Sequence, residues 1–430
     1  MDASIFGVIG LFFLVFLRVP IAFAMAIVGF LGFGFTVNFS AASAMVTSLA
    51  YETGLSVGLS VLPLFVLMGS FVFHAGLSRD LYAASNAFVG HHRGGLAMAT
   101  VVACGGFSAV CGSSLATAAT MAKVAFPAMR SYGYSDGLAG GSIAAGGTLG
   151  ILIPPSIVMV IYGLLTDQSI GQLFMAGIVP GILGIMLYVF AIAMVVRVDP
   201  KAGPRGARTS WKNRIRTLKS VWGVLALFLI VMGGIYGGVF TPTEAGAIGA
   251  VGALVFAIAK NGFDVRWLFR TTVETARMTA MLFAVLIGAL IFANFINLTN
   301  LPRTLLTVAN YFSETPILVI LFIILVYLIF GCVLESISMI TLTVPIFYPL
   351  VSQLGFDLIW FGIIVVVVTE ISFLTPPIGL NIFVLRSVLA DVPTGTLFRG
   401  VLPFFVADIV RLGILIAFPI ISLFLPSLMR

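Results

Sequence analysis

Residues 146–156 read Gly146-Gly147-Thr148-Leu149-Gly150-Ile151-Leu152-Ile153-Pro154-Pro155-Ser156, and residues 369–381 read Thr369-Glu370-Ile371-Ser372-Phe373-Leu374-Thr375-Pro376-Pro377-Ile378-Gly379-Leu380-Asn381. The Pro-Pro pair of the first stretch recurs in the second at an offset of 222 residues (376 − 154). The same offset relates Pro20 to Pro242, Pro127 to Pro349 and Gly133 to Gly355. A later echo, Gly177-Ile178-Val179-Pro180 against Gly400-Val401-Leu402-Pro403, is displaced by one further residue, which a single small insertion explains. The chain reads as a duplication, and what has been duplicated is a break. Neither proline offers an N–H, and the second drives the first out of the α region. The glycines upstream add backbone freedom.

These breaks lie in very apolar surroundings. Of 430 residues, 60% are hydrophobic and 9% charged, and the mean hydropathy is +1.19. A helix needs roughly 20 apolar residues to cross a bilayer core, and most stretches between the charged clusters are that long. Continuous runs such as Ile317–Leu334 exclude an outer-membrane barrel, whose strands alternate over about ten residues. The fold class is an all-α polytopic membrane protein lying in a lipid bilayer. The net charge of +7 does not point to nucleic acid, because it is concentrated in one loop. Between Arg197 and Lys219 lie Lys201, Arg205, Arg208, Lys212, Arg214 and Arg216 against the single acid Asp199. Such an excess marks a cytoplasmic loop. Cys104, Cys111 and Cys332 lack metal-type spacing and read as core packing. The start at Asp2 lacks a basic region, so Ile5–Leu17 reads as a retained span rather than a cleaved signal.

The basic linker, 198–219, divides the chain into repeats of 1–197 and 220–430. Apolar spans are expected at about 4–17, 20–38, 55–75 continuing to 95–107, 138–165 and 172–196. Their counterparts fall at 220–239, 243–260, 276–298 continuing to 317–331, 358–386 and 398–426. Each repeat also carries a segment too small and hydroxyl-rich for a lipid-facing helix, about 108–130 and 332–352. Read as re-entrant hairpins, these leave five crossings per repeat, and an odd count inverts the second repeat. That parity keeps Arg18, Lys260, Arg266, Arg270, Arg386 and Arg399 on the cytoplasmic side, as the charge rule prefers.

Irregular backbone at membrane depth is tolerated only where protein or a cavity covers it, so the breaks and hairpins mark the site. Gly112-Ser113-Ser114 makes a natural first tip, and Glu335-Ser336 lies 222 residues beyond Ser113-Ser114. Half-helix N-termini favour an anion, while freed carbonyls and hydroxyls can hold Na⁺. Glu335 and Glu370 are acids in apolar sequence, a pattern that marks function, and Lys123 is the candidate opposite charge. Thr241, Pro242 and Glu244 form a capping box with a proline start. His74, His91 and His92 lie outside all four broken segments, so Ser113-Ser114 has no base with which to act as a nucleophile. No phosphate-binding loop is present. The class is a transporter, not an enzyme or an ATP-driven pump.

The run from Gly112 through Pro127, the segment Gly146–Ser156, the stretch Gly237–Ala245 and Thr375–Asn381 together resemble the large membrane subunit of tripartite ATP-independent periplasmic (TRAP) transporters. The likeness spans nearly the whole chain, and the two Pro-Pro segments in order make it specific. It implies an elevator-type, sodium-coupled importer of a small organic acid in the bacterial inner membrane. The implied partners are a periplasmic substrate-binding protein and a small four-helix membrane subunit, with no cofactor besides the coupling ion. By the same resemblance, one Na⁺ site joins Ser113 to Thr148, Gly150 and Ile153. A second joins Ser336 to Thr369, Ser372 and Thr375. Substrate is expected against Gly112, Ser113, Ser114, Glu335, Ser336, Pro155, Pro377 and Asn381. Lys123 departs from the small residue usual at its position. A binding-protein-independent sodium–carboxylate symporter of related architecture is the alternative, separated from the first reading by whether neighbouring genes supply the two partners.

Overall fold

The computed structural model describes residues 3–429 apart from 302–303, 305–306, 308–313 and 333, together with the side chains of 110 and 224. Asp2 and Val333 therefore lie outside the described residues, as does part of the expected run from 298 to 317.

The first repeat comprises α1 (Ala3–Phe16), α2 (Ile21–Thr36), α3 (Phe39–Leu55), α4 (Val61–His74), α5 (Leu77–Val89), α6 (Gly95–Cys111), α7 (Ser114–Ser131), α8 (Asp136–Thr148), α9 (Ile157–Thr166) and α10 (Ile170–Val198). The second comprises α11 (Trp211–Tyr236), α12 (Pro242–Asn261), α13 (Val265–Leu298), α14 (Pro316–Gly331), α15 (Ser336–Gln353), α16 (Leu358–Ser372), α17 (Leu380–Val388), α18 (Thr394–Ala417) and α19 (Ile420–Ser427). Moving Ser114–Ser131 along the chain by 222 gives Ser336–Gln353, and Asp136 moves onto Leu358, the start of α16. Six described helices are long and apolar enough to cross a membrane, and the protein is a multi-pass membrane protein.

Four boundaries depart from the sequence reading. Residues 39–55, expected to connect two spans, form α3. Asn38 caps it by accepting from the Ala41 N–H at 2.7 Å, and the Ser43 and Thr47 hydroxyls donate back to carbonyls four residues earlier at 2.9 Å. A polar helix that satisfies its own hydroxyls has no apolar period to betray it. Residues 95–111 do not continue the preceding span, because Gly76 and Gly94, both at positive φ, isolate α5 on either side. α6 instead runs antiparallel to α7 from Gly95 onward. Finally, α11 begins within the basic linker, where Ser210 caps Trp211 onward, and α13 runs eleven residues further back than expected. The capping box at Thr241 and Glu244 is formed in full.

Helix association in lipid rests on close packing rather than hydrophobic driving force, so small residues sit at the crossings. A Cβ on Gly29 of α2 would lie 2.7–2.8 Å from the Ile291 and Phe292 backbone of α13, and one on Gly249 of α12 would lie 2.4 Å from Met68 of α4. The two helix pairings correspond at the 222-residue offset, α12 with α2 and the end of α13 with α4, although the glycines stand two residues apart in register. At the other side of the molecule α8 crosses α18 glycine on glycine. A Cβ on Gly400 would sit 1.9 Å from the Gly137 carbonyl oxygen.

Candidate functional site

The two arms of the first hairpin run antiparallel. Thr100 on the rising arm meets Met129 on the falling arm at 3.9 Å, and the Leu96 N–H donates to the Tyr134 hydroxyl at 3.1 Å. The turn between them needs glycine. Gly112 closes α6 at φ +62, and a Cβ there would lie 3.1 Å from the Pro155 carbonyl. Ser113 follows in extended conformation and caps α7, its Oγ accepting from the Ala116 N–H at 3.4 Å. The second tip also places an extended residue before its helix, but among its described residues it has neither the positive-φ turn nor the side-chain cap. Glu335 stands extended before α15, and its carboxylate makes no capping bond.

Each tip lies against the break of its own repeat. A Cβ on Gly150 would be 3.0–3.1 Å from the Ser113 carbonyl and the Ser114 nitrogen, so the first break touches the first tip backbone to backbone. In the second repeat, a Cβ on Gly331 would be 2.1 Å from the Ser372 hydroxyl, and the Cys332 thiol donates to the Pro376 carbonyl at 3.4 Å. Both Pro-Pro bonds are cis.

Between the tips is one cavity. Gly112, Ser113 and Ser114 line it from the first hairpin and Glu335 and Ser336 from the second, with Ile151 and Phe373 from the breaks. The first residues of α9, Ile157 and Val158, also face it. Three helix N-termini, those of α7, α9 and α15, thus converge on the cavity, each presenting unpaired amides and a partial positive charge. The far wall is apolar and soft, formed by Met278, Met281 and Leu282 of α13. No Lys or Arg is among the described residues lining it.

Of the residues expected to hold sodium, the three hydroxyls around the second break donate to their own helix. Thr369 donates its hydroxyl proton to Val365, Ser372 to Thr369 and Thr375 to Ile371, each at 2.7 Å. A hydroxyl that has given its proton to its own helix offers only lone pairs outward. The Thr148 hydroxyl lies 2.7 Å from the Ala145 carbonyl and 3.3 Å from the Tyr188 hydroxyl, and its one proton is shared between the two. The Ile153 side chain packs between Gly105 of α6 and Gly181 of α10, which leaves its carbonyl as its polar group.

Other expected residues fall elsewhere. Pro155 borders a small apolar cavity with Met68 and Leu227, whereas Pro377 is exposed. Asn381 is fully buried, and its amide is already engaged. Its Oδ1 accepts from Ser114 at 2.9 Å and its Nδ2 donates to the Ala144 carbonyl at 3.0 Å. Lys123 is exposed on α7 and is not the counter-charge of Glu370. That partner is Arg411 of α18, wholly buried, which donates to Glu370 and is ion-paired with Asp408. The sequence did carry a signal for it, since Asp408 and Arg411 are charges three residues apart within the apolar span 398–426.

The family described as "Tripartite ATP-independent periplasmic transporter, DctM component" matches residues 8–421. A "C4-dicarboxylate TRAP transporter large permease protein DctM" of Pseudomonas aeruginosa is 39% identical over 379 residues, 88% of each chain. A "Sialic acid TRAP transporter large permease protein SiaM" of Vibrio cholerae is 33% identical over 437 residues, covering 100% of this chain and 99% of its own. Among solved structures, the YdaH transporter of Alcanivorax borkumensis superposes with a TM-score of 0.66 at 16% identity, over 89% of this chain and 90% of its own. That last likeness concerns the fold alone.

Proposed function

The chain belongs to the tripartite ATP-independent periplasmic transporter family as its large permease, a transport component and not an enzyme, and we propose that it imports a small organic acid together with Na⁺. The observation that carries this reading is the single cavity into which both hairpin tips point, each tip resting on the break of its own repeat. The converging N-termini of α7, α9 and α15 would hold the carboxylate. Na⁺ held by the lone pairs of Thr369, Ser372 and Thr375 with Ser336, and by Ser113 with the carbonyls near Gly150 and the Thr148 oxygen, would fix the tips. Each ligand then binds better in the presence of the other, which is coupling as a reciprocal free energy.

Relatives named for C4-dicarboxylates and sialic acid support an organic acid as cargo. In this reading a periplasmic binding protein delivers it, a small membrane subunit braces the permease, and the site is the bacterial inner membrane. The two repeats are inverted, and the hairpins with their breaks move as an elevator past α13, whose Met278 and Met281 can repack as the tips pass. Burial of Pro154 and Pro155 beside exposure of Pro376 and Pro377 supports a state open on one side.

The test is uptake into vesicles containing the permease and its two partners. Accumulation is expected only with an inward Na⁺ gradient; full-rate accumulation without sodium would overturn the reading.

A further inference from the structure

Four helices contribute to one chain of polar side chains that no water reaches. Thr148 ends α8 immediately before the first break, and its hydroxyl, 3.3 Å from that of Tyr188 on α10, must supply the proton of this contact because Tyr188 gives its own to Asp408. Tyr188 donates to Asp408 Oδ2 on α18 at 2.6 Å. The other oxygen of Asp408 lies 2.8 Å from Nη2 of Arg411, one turn further along α18. The same Nη2 donates to Glu370 Oε2, on the last turn of α16 before the second break. All five residues are 0% exposed. The guanidinium has been given its space, since a Cβ on Gly184 would fall 2.3 Å from Nη1, and the ring of Tyr188 lies 5.9 Å away.

Buried ion pairs contribute little net stability, because the desolvation of both partners offsets their attraction. Well-packed apolar residues often replace buried ion pairs without loss of stability. What the charges supply is connection, for the chain begins one residue from the first break and ends two residues before Ser372 of the second. We propose that Tyr188, Asp408 and Arg411 are positioning residues that tie the two breaks together, so that occupation of one sodium site sets the geometry of the other. This rests on the reading of two sodium sites given above. An ion that draws the Thr148 oxygen toward the first tip moves Tyr188 and, through Asp408 and Arg411, reorients Glu370 beside Thr369. The two sites then fill cooperatively, although they belong to different repeats.

The decisive variant is Tyr188→Phe, which removes one hydroxyl and no charge. In the reconstituted three-component system, wild-type uptake is expected to rise with sodium at a Hill coefficient above one. In Tyr188→Phe the coefficient is expected to fall toward one and half-saturating sodium to rise about fivefold, the scale of a single hydrogen bond. Arg411→Met with Glu370→Gln and Asp408→Asn, which leaves no buried charge, is expected to fold and to show the same loss of cooperativity. A lowered melting temperature with an unchanged sodium curve in Tyr188→Phe would reduce the chain to packing and overturn the proposal. A wild type indifferent to sodium would overturn the underlying reading as well.

Discussion

Ser114 and Asn381 stand 267 residues apart in sequence and share a hydrogen bond of 2.9 Å in the interior. Ser114 opens the falling arm of the first hairpin, and Asn381 opens the half-helix that follows the second break. Asn381 also holds the Ala144 carbonyl of α8, so one amide joins the first tip, the first broken helix and the second. Replacing Ser114 with Ala leaves a buried Oδ1 without its donor, which costs about 1–3 kcal/mol. A lower melting temperature of the purified permease and weaker uptake are expected. Asn381→Leu, which abandons both bonds, should be worse than Ser114→Ala, and an Asn381→Leu protein as stable as wild type would show that the clamp is not needed.

Gly150 is where the first break meets the first tip backbone to backbone. Adding one methyl there brings it within 3.0–3.1 Å of Ser113 and Ser114, closer than ordinary contact, and both neighbours are backbone that cannot rotate away. Gly150→Ala is expected to displace the tip and raise half-saturating sodium roughly tenfold, the effect of losing about 1.4 kcal/mol of ion binding. Gly395 has nothing within 4 Å of an added Cβ, so Gly395→Ala serves as the neutral control. Equal sodium curves for the two variants would contradict contact between Gly150 and the first sodium site.

At an exposed end of the first hairpin, Arg130 of α7 grips Asp136 with two bonds of 2.8 Å and also reaches Asp391, in the loop before α18. The hydrogen bond from Arg130 holds the Asp391 carboxyl below its ordinary value. A folded-state value depressed below the unfolded one stabilises at pH above the unfolded value, near 3.9, and the benefit disappears as pH falls through the folded value. Melting temperatures of wild type and Asp391→Asn should therefore differ slightly at pH 7 and converge as the pH drops below about 4. The difference stays small, because both side chains are well exposed. A gap that widened in acid would contradict the pairing.

The breaks were legible in the sequence because they are local. Pro154-Pro155 and Pro376-Pro377 cannot continue a helix whatever surrounds them, and Gly112 can take the positive φ that a tip demands. Partnerships were much less legible. Glu370 announced itself as an acid among valines, yet its partner lies 41 residues later on another helix, and only the crossing of α16 with α18 brings Arg411 to it. Lys123 was nearer to the hairpin in sequence, but the helical period turns it outward. α3 stayed hidden for the opposite reason, since its serines and threonines bond to their own backbone and show no apolar face.

Glu335 is the one charged side chain among the described residues lining the cavity, and it stands where the first repeat has Ser113. A carboxylate repels an anionic substrate but suits a hard cation, which prefers oxygen ligands. At the start of α15 it also faces the positive end of that helix, so the acid can remain near a carboxylate cargo only with a cation beside it. Glu335→Gln is therefore expected to raise half-saturating sodium roughly tenfold, as the loss of about 1.4 kcal/mol of ion binding would, while the KM for the organic acid at saturating sodium changes little. Ser336→Ala should shift the sodium curve in the same direction by a smaller factor, since a neutral oxygen ligand contributes less than a charged one. An unaltered sodium curve in Glu335→Gln, with a changed KM for the organic acid, would move Glu335 from the ion to the substrate and leave the second sodium site to Ser336, Thr369, Ser372 and Thr375 alone.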